Sequence, residues 1–272
     1  MFKPKKGRYF QDYSRMNLYM QKKQKIYRLV FYSLLLVFIV SCAHSNEQNQ
    51  TMIETESITI QIKDSLPPPP GKLESELIAA GLVNIADIIP GILVELRYST
   101  TNNFLRKDMY GDLINAYLQT DVADKLKKAE KLLQLKDSTL TLLVYDCVRP
   151  LHIQQLMWDS LDVPLAEKKN FLSNPTNKSL HNYGAAVDLT IATIQGVPLD
   201  MGTPYDFIGQ LAYPTLEEQM LKEGRLTANQ IANRKLLRSV MFQSGFTGIE
   251  SEWWHFNSCT REEANMRYKV IE

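Results

Sequence analysis

Ser179-Leu180-His181-Asn182-Tyr183-Gly184-Ala185-Ala186-Val187-Asp188 sets a histidine and an aspartate seven positions apart around a glycine, in a chain with only four histidines. On an extended strand that spacing is about 23 Å. Both side chains can face one point only if the chain reverses between them, and Gly184 is the residue suited to the reversal. The first half then reads as a loop, and residues 185–191 as a returning strand that carries Asp188. Downstream, Glu252-Trp253-Trp254-His255 adds a second imidazole and a second carboxylate. Two neutral nitrogens and one anionic oxygen are a donor set for zinc in a hydrolytic site that keeps a fourth position for water, and Glu252 offers a base beside it. Glu252 and His255 are three apart, which on a strand places them on opposite faces. A bulge or turn at the tryptophan pair is needed to bring both to the metal.

Around these motifs the pattern alternates between helix and strand signals. Residues 91–98 predict a strand entering a loop at 99–103. Ala123, Leu126, Ala129, Leu132 and Leu133 recur at helical spacing, with lysines on the opposite face. Residues 140–145 are short and rich in strand formers. Pro150 marks a break before a helix around 152–159, and Thr227 is placed to cap a helix burying Ile231, Leu236, Leu237, Val240 and Met241. Gly245 and Gly248 lead to a last strand holding 253–256. Helices and strands mix without regular βαβ alternation. The expected class is therefore α+β: a single domain with a central, mostly antiparallel sheet flanked by helices.

The N-terminal part reads differently. Lys22, Lys23, Lys25 and Arg28 precede an apolar run from Leu29 to Val40, which is short for a bilayer span and suited to an export signal. Met20 offers a second start ahead of this basic stretch, and an uncleaved anchor helix is the alternative reading of the run. Ile39-Val40-Ser41-Cys42 resembles a bacterial lipobox, so residues 1–42 are expected to be a signal ending in an acylated Cys42. A polar and proline-rich tether follows over 43–73, including Pro67-Pro68-Pro69-Pro70-Gly71. The domain is expected over 74–272, exported and lipid-anchored on the periplasmic side. Cys147 and Cys259 then remain either paired or as two thiols. The formal net charge of +1 lacks the basic excess of a nucleic-acid binder. No pattern specifies an oligomeric state, and the membrane is touched only through the anchor or signal.

Ser-x-His-x-x-Gly-x-Ala-x-Asp followed by Glu-x-Trp-His resembles the zinc D-alanyl-D-alanine dipeptidases of the VanX type, part of a wider group of zinc D,D-peptidases that shares its fold with hedgehog signalling domains. Glu95-Leu96-Arg97-Tyr98-Ser99-Thr100-Thr101-Asn102-Asn103-Phe104 is similar to the family's early segment, and Tyr145-Asp146-Cys147-Val148-Arg149-Pro150 to the segment bearing its catalytic arginine. Met201-Gly202-Thr203-Pro204-Tyr205-Asp206 looks like the dipeptidase-specific stretch. The resemblance implies one zinc ion on His181, Asp188 and His255, and Glu252 as the general base and acid. It implies Arg149 as the group that polarises the scissile carbonyl, with Asp206 and Ser179 holding the ammonium of a dipeptide. The expected reaction is hydrolysis of D-alanyl-D-alanine in cell-wall turnover or peptidoglycan metabolism. The rival readings are a D,D- or L,D-carboxypeptidase trimming stem peptides, which needs an open cleft, and a non-catalytic zinc-binding module. His152, three residues past Arg149, reads as a packing or surface residue.

Overall fold

The computed structural model describes residues 69–272. The export signal, Cys42 and the tether as far as Pro68 lie outside them. Among the described residues no helix is long and apolar enough to cross a membrane.

Leaving aside two single-turn helices at Ile85–Ile88 and Leu165–Lys168 and the 3₁₀ turns, the elements in chain order are α1 (Lys72–Ala79), β1 (Val83–Asn84), β2 (Leu93–Val94), β3 (Tyr117–Leu118), α2 (Thr120–Lys136), β4 (Leu140–Asp146), α3 (Leu151–Asp159), β5 (Ala186–Thr193), α4 (Glu217–Lys222), α5 (Ala228–Gln243), β6 (Thr247–Gly248), β7 (His255–Asn257) and α6 (Arg261–Arg267). A five-stranded sheet runs β2-β4-β5-β7-β6, and β1 pairs with β3 in a separate small ribbon. Only the β2–β4 pair is parallel. The fold is therefore the expected α+β type, with a mostly antiparallel central sheet. The domain's first helix begins at Lys72, two residues before the expected boundary.

The apolar stripe of α2 is what the sequence spacing requires: Val122, Ala123, Leu126, Ala129 and Leu133 are fully buried, and the helix packs on β4 and on α5. Each such leucine removed from water contributes roughly 1.5–3 kcal/mol. Thr227 does cap α5: its hydroxyl accepts from the Gln230 amide at 3.2 Å, and the Gln230 side chain accepts in return from the Thr227 amide at 2.8 Å. The α2 and α5 helices thus cover one face of β4 and β5, where Leu142, Val144, Leu189 and Ile191 join the main core. Leu143, Tyr145 and Ala192 form a smaller cluster of their own, against which Tyr205 packs.

The strand expected over 91–98 shrinks to two residues, followed by a 3₁₀ turn at Arg97–Ser99. Its backbone carbonyls are claimed locally. The Asn103 side chain donates to the carbonyls of Arg97, Thr100 and Lys107, and the Tyr98 carbonyl accepts from the amides of Met109 and Tyr110. An asparagine that satisfies three carbonyls competes with a sheet ladder. The last strand also starts later than expected, at His255, after bends at Trp253 and Trp254.

A buried ion pair secures the loop that follows β5. Arg234 on α5 has no exposed surface, donates to the carbonyls of Met201 at 2.7 Å and Leu211 at 3.1 Å, and lies 3.6 Å from Glu217. Glu217 also accepts two bonds from Arg238, at 2.8 and 2.6 Å. Removing one partner of a buried pair strands the other's charge, at a cost of about 3–5 kcal/mol. Glu217→Ala is therefore expected to lose roughly that much stability. It will be read as a lower urea midpoint at unchanged slope.

Candidate metal centre

Strand register places the site. Asp188 on β5 lies opposite His255 on β7 on one side and opposite Asp146 on β4 on the other. Between the Val144–Leu189 and Asp146–Asp188 pairs, β4 advances two residues while β5 advances one. Tyr145 is the extra residue of a bulge, and this change of phase carries Asp146 round to the Asp188 side.

His181 arrives from the other direction. It sits in a 3₁₀ turn, Leu180–Tyr183, whose N-cap is Ser179 and which closes on Gly184 at φ 65°. The positive φ suits glycine, and a Cβ there would lie 2.9 Å from a Leu82 methyl group. The reversal that the sequence demanded is therefore made at Gly184. The turn is tied to the end of β4: the Arg149 amide donates to the His181 carbonyl at 3.0 Å, and the Asn182 side chain donates to the Arg149 carbonyl at 2.7 Å. Asn182 also accepts from the Ser179 amide.

The outcome is convergence. One donor atom each from His181, Asp188 and His255 lies within 4.8 Å of the others. His181 Nε2 is 3.3 Å and His255 Nδ1 is 2.9 Å from the same Asp188 oxygen, Oδ1, and the two nitrogens are 3.2 Å apart. A tetrahedral zinc with bonds of 2.0–2.1 Å separates its ligands by about 3.3–3.4 Å, so the spacing fits the ion. The outer nitrogens fit as well. His181 Nδ1 lies 2.5 Å from the Cys147 carbonyl and His255 Nε2 lies 2.8 Å from Asn257 Oδ1. Both partners accept, which puts the protons on those nitrogens and leaves the inward ones bare for a metal. A proton competes with a metal for the His255 nitrogen that faces Asp188. Burial opposes the Asp188 charge, but the two imidazoles overcome it and hold its carboxyl well below the usual range. Burial likewise opposes charge on His255, while its bond to Asp188 and the nearby carboxylates lift it to about 9.

Arg149 and Asp146 form the next layer. Arg149 Nε and Nη2 both donate to Asp146 Oδ2, at 3.1 and 2.5 Å, and Nη2 is 4.0 Å from Asp188. Tyr110 donates to the other Asp146 oxygen at 2.7 Å. The guanidinium carbon stands 5.0 Å from the centre of the Tyr98 ring, and the Tyr98 hydroxyl lies 3.1 Å from each Asp206 oxygen. Asp206 itself has φ 60°. Its burial and the charges of Asp188 and Glu252 raise its pKa well above the ordinary carboxylate value.

Glu252 is partly buried and lines a cavity of about 290 Å³ together with His255, Trp253, Phe242 and Arg238. Burial raises its pKa, against the pull of His255. The bends at the tryptophans are the departure from strand geometry that lets Glu252 and His255 share this cavity. Of the remaining residues, Ser179 is buried and its hydroxyl caps the His181 turn, His152 is exposed on α3, and Cys147 and Cys259 are both free thiols. Sequence reasoning assigned no part to Asp146, Asn257 or the Tyr205 hydroxyl. Asp146 stands three residues before Arg149 and Asn257 two after His255, and spacing alone does not say that they touch.

A family model described as D-ala-D-ala dipeptidase matches residues 78–270. A D-alanyl-D-alanine dipeptidase of Escherichia coli strain K12 is 32% identical over 178 residues, covering 64% of this chain and 83% of that protein. One from Enterococcus faecium is 27% identical over 191 residues, covering 65% and 90%. Among solved structures, a vancomycin-resistance D,D-pentapeptidase in complex with Zn(II) aligns at 15% identity and a TM-score of 0.34, over 56% of this chain and 78% of that one, a likeness too slight to carry weight.

Asp188→Ala removes the only anionic donor of the three. It is expected to lower the divalent metal retained after dialysis at least tenfold, by elemental analysis, while the far-ultraviolet dichroism stays that of the parent.

Proposed function

The chain belongs to the D-ala-D-ala dipeptidase family, and on that footing we propose that it hydrolyses D-alanyl-D-alanine to two molecules of D-alanine at a zinc site built on His181, Asp188 and His255. The observation that carries the reading is the meeting of those three donors at one point, with a partly buried carboxylate on the wall beside them. When bound, zinc supplies a Lewis acid that makes water nucleophilic near neutral pH and draws electron density from the scissile carbonyl.

The chain's own groups do the rest. Glu252 takes the proton of the attacking water and returns it to the leaving amine, so the acyl carbon gains oxygen as its bond to nitrogen breaks. Its raised pKa suits both halves of that exchange. Arg149 is held by Asp146 through Nε and Nη2, which fixes the plane of the guanidinium beside Asp188. From there it donates to the carbonyl oxygen as negative charge builds, a contact worth about 3–4 kcal/mol in acyl-transfer sites. Asp206 receives the substrate ammonium, and an incoming cation relieves the repulsion from Asp188 and Glu252 that it otherwise bears. Ser179 stands at the start of the His181 turn as a second contact for that end of the dipeptide. The setting we propose is outside the cytoplasm, on a lipid anchor at Cys42, in recovery of D-alanine from wall turnover.

Two measurements test this. Purified protein is expected to cleave D-alanyl-D-alanine in preference to a pentapeptide stem, and the opposite preference would replace the dipeptidase reading with a carboxypeptidase. Glu252→Gln is expected to lower kcat by about 10²–10⁴-fold while zinc content stays at the wild-type level. Unchanged turnover would remove Glu252 from the reaction.

A further inference from the structure

The two oxygens of Asp188 have different neighbours. Oδ1 faces both imidazoles, at 3.3 and 2.9 Å. Oδ2 turns away from them and accepts a hydrogen bond from the Tyr205 hydroxyl at 2.9 Å. Among the described residues the cation that approaches it is Arg149 Nη2, at 4.0 Å and already bonded to Asp146. A carboxylate free at both ends can rotate, or offer both oxygens to a metal. The phenol's hydrogen bond to Oδ2 favours one orientation, in which Oδ1 is the oxygen turned to the imidazoles.

Tyr205 is itself held without help from that bond. Its ring packs against Tyr145, Trp254 and Tyr98, with centroids 5.0, 5.5 and 6.2 Å away. Its loop is fixed on the other side by Arg234 at the Met201 carbonyl, and by the Trp253 indole donating to Thr203 at 2.7 Å. The hydroxyl is thus delivered to Asp188 by a rigid frame, which is the condition for an outer partner to orient a metal ligand. Each ligand then has one outer partner: a main-chain carbonyl for His181, Asn257 for His255 and Tyr205 for Asp188.

We infer that Tyr205 is a positioning residue of the metal centre, whose hydroxyl holds Asp188 as a one-oxygen ligand and thereby sets metal affinity. The inference rests on the reading that the triad holds zinc. The next residue is Asp206, so one peptide unit joins the group that orients the metal ligand to the group assigned to the substrate ammonium.

The test is zinc affinity by competition with a chromophoric chelator, on wild type, Tyr205→Phe and Tyr145→Phe, with the visible spectrum of each protein loaded with cobalt(II). Tyr205→Phe keeps the ring in its aromatic frame and removes only the donor. It is expected to weaken zinc about 10–100-fold and to change the cobalt spectrum. Tyr145→Phe removes a hydroxyl from the same cluster without touching Asp188 and is expected to match wild type in both. Equal affinity and an identical spectrum in Tyr205→Phe would overturn the role of Tyr205 alone. Equal losses in both variants would also overturn it, because they would trace to packing. Wild-type protein that takes up no zinc would refute the triad as a metal site and this inference with it.

Discussion

The site depends on a row of side chains set across three strands: Asp146, Asp188 and His255 stand side by side on β4, β5 and β7. Directly opposed residues on antiparallel strands bring their Cβ atoms to about 4.5–5.5 Å. A slip of one residue in either pairing would send a whole strand's side chains to the other face, and Asp188 would part from one neighbour or the other. Register is held because the reverse face is committed. Val187, Leu189 and Ile191 are buried under the helices, and exposing them would cost several kcal/mol. Packing on one side of the sheet therefore guarantees geometry on the other.

The row also concentrates like charge. Asp146 and Asp188 oppose each other while almost wholly buried, with Asp206 and Glu252 close by. Buried carboxylates are tolerable only when cations and hydrogen-bond donors compensate them. Arg149 serves Asp146, two imidazoles face Asp188, and three phenols supply one donor group each: Tyr110 to Asp146, Tyr98 to Asp206 and Tyr205 to Asp188. Phenols suit this task because burial raises their own pKa and keeps them protonated as donors. The aromatic residues around the site thus act as wall and as electrostatic support at once.

Much of this was legible in the chain. The interval from His181 to Asp188 requires a reversal, only Gly184 offers one cheaply, and the backbone turns there. The helical stripe of α2 and the cap at Thr227 follow from local rules, and local structure obeys them. What escaped was non-local. Nothing near Glu95 announces that Asn103 will claim three carbonyls and cut a strand short. The bulge at Tyr145 is defined only by its partner on β5. Arg234, which reads as one more polar residue on a helix, proves to be buried against main-chain carbonyls 33 and 23 residues away in sequence. Pairings of this kind depend on how elements stack, and a linear pattern does not encode that.

One of the three converging donors is oriented by an atom that every amino acid carries. Because His181 leans on the main-chain oxygen of position 147, no replacement of that side chain deletes the acceptor itself, and the thiol there takes no part in the contact. The other two donors enjoy no such insurance, since a single codon change at Asn257 or Tyr205 erases the group each is bonded to. Tolerance to inherited variation is thus unevenly shared across the three, with the imidazole from the turn the most robust member of the set.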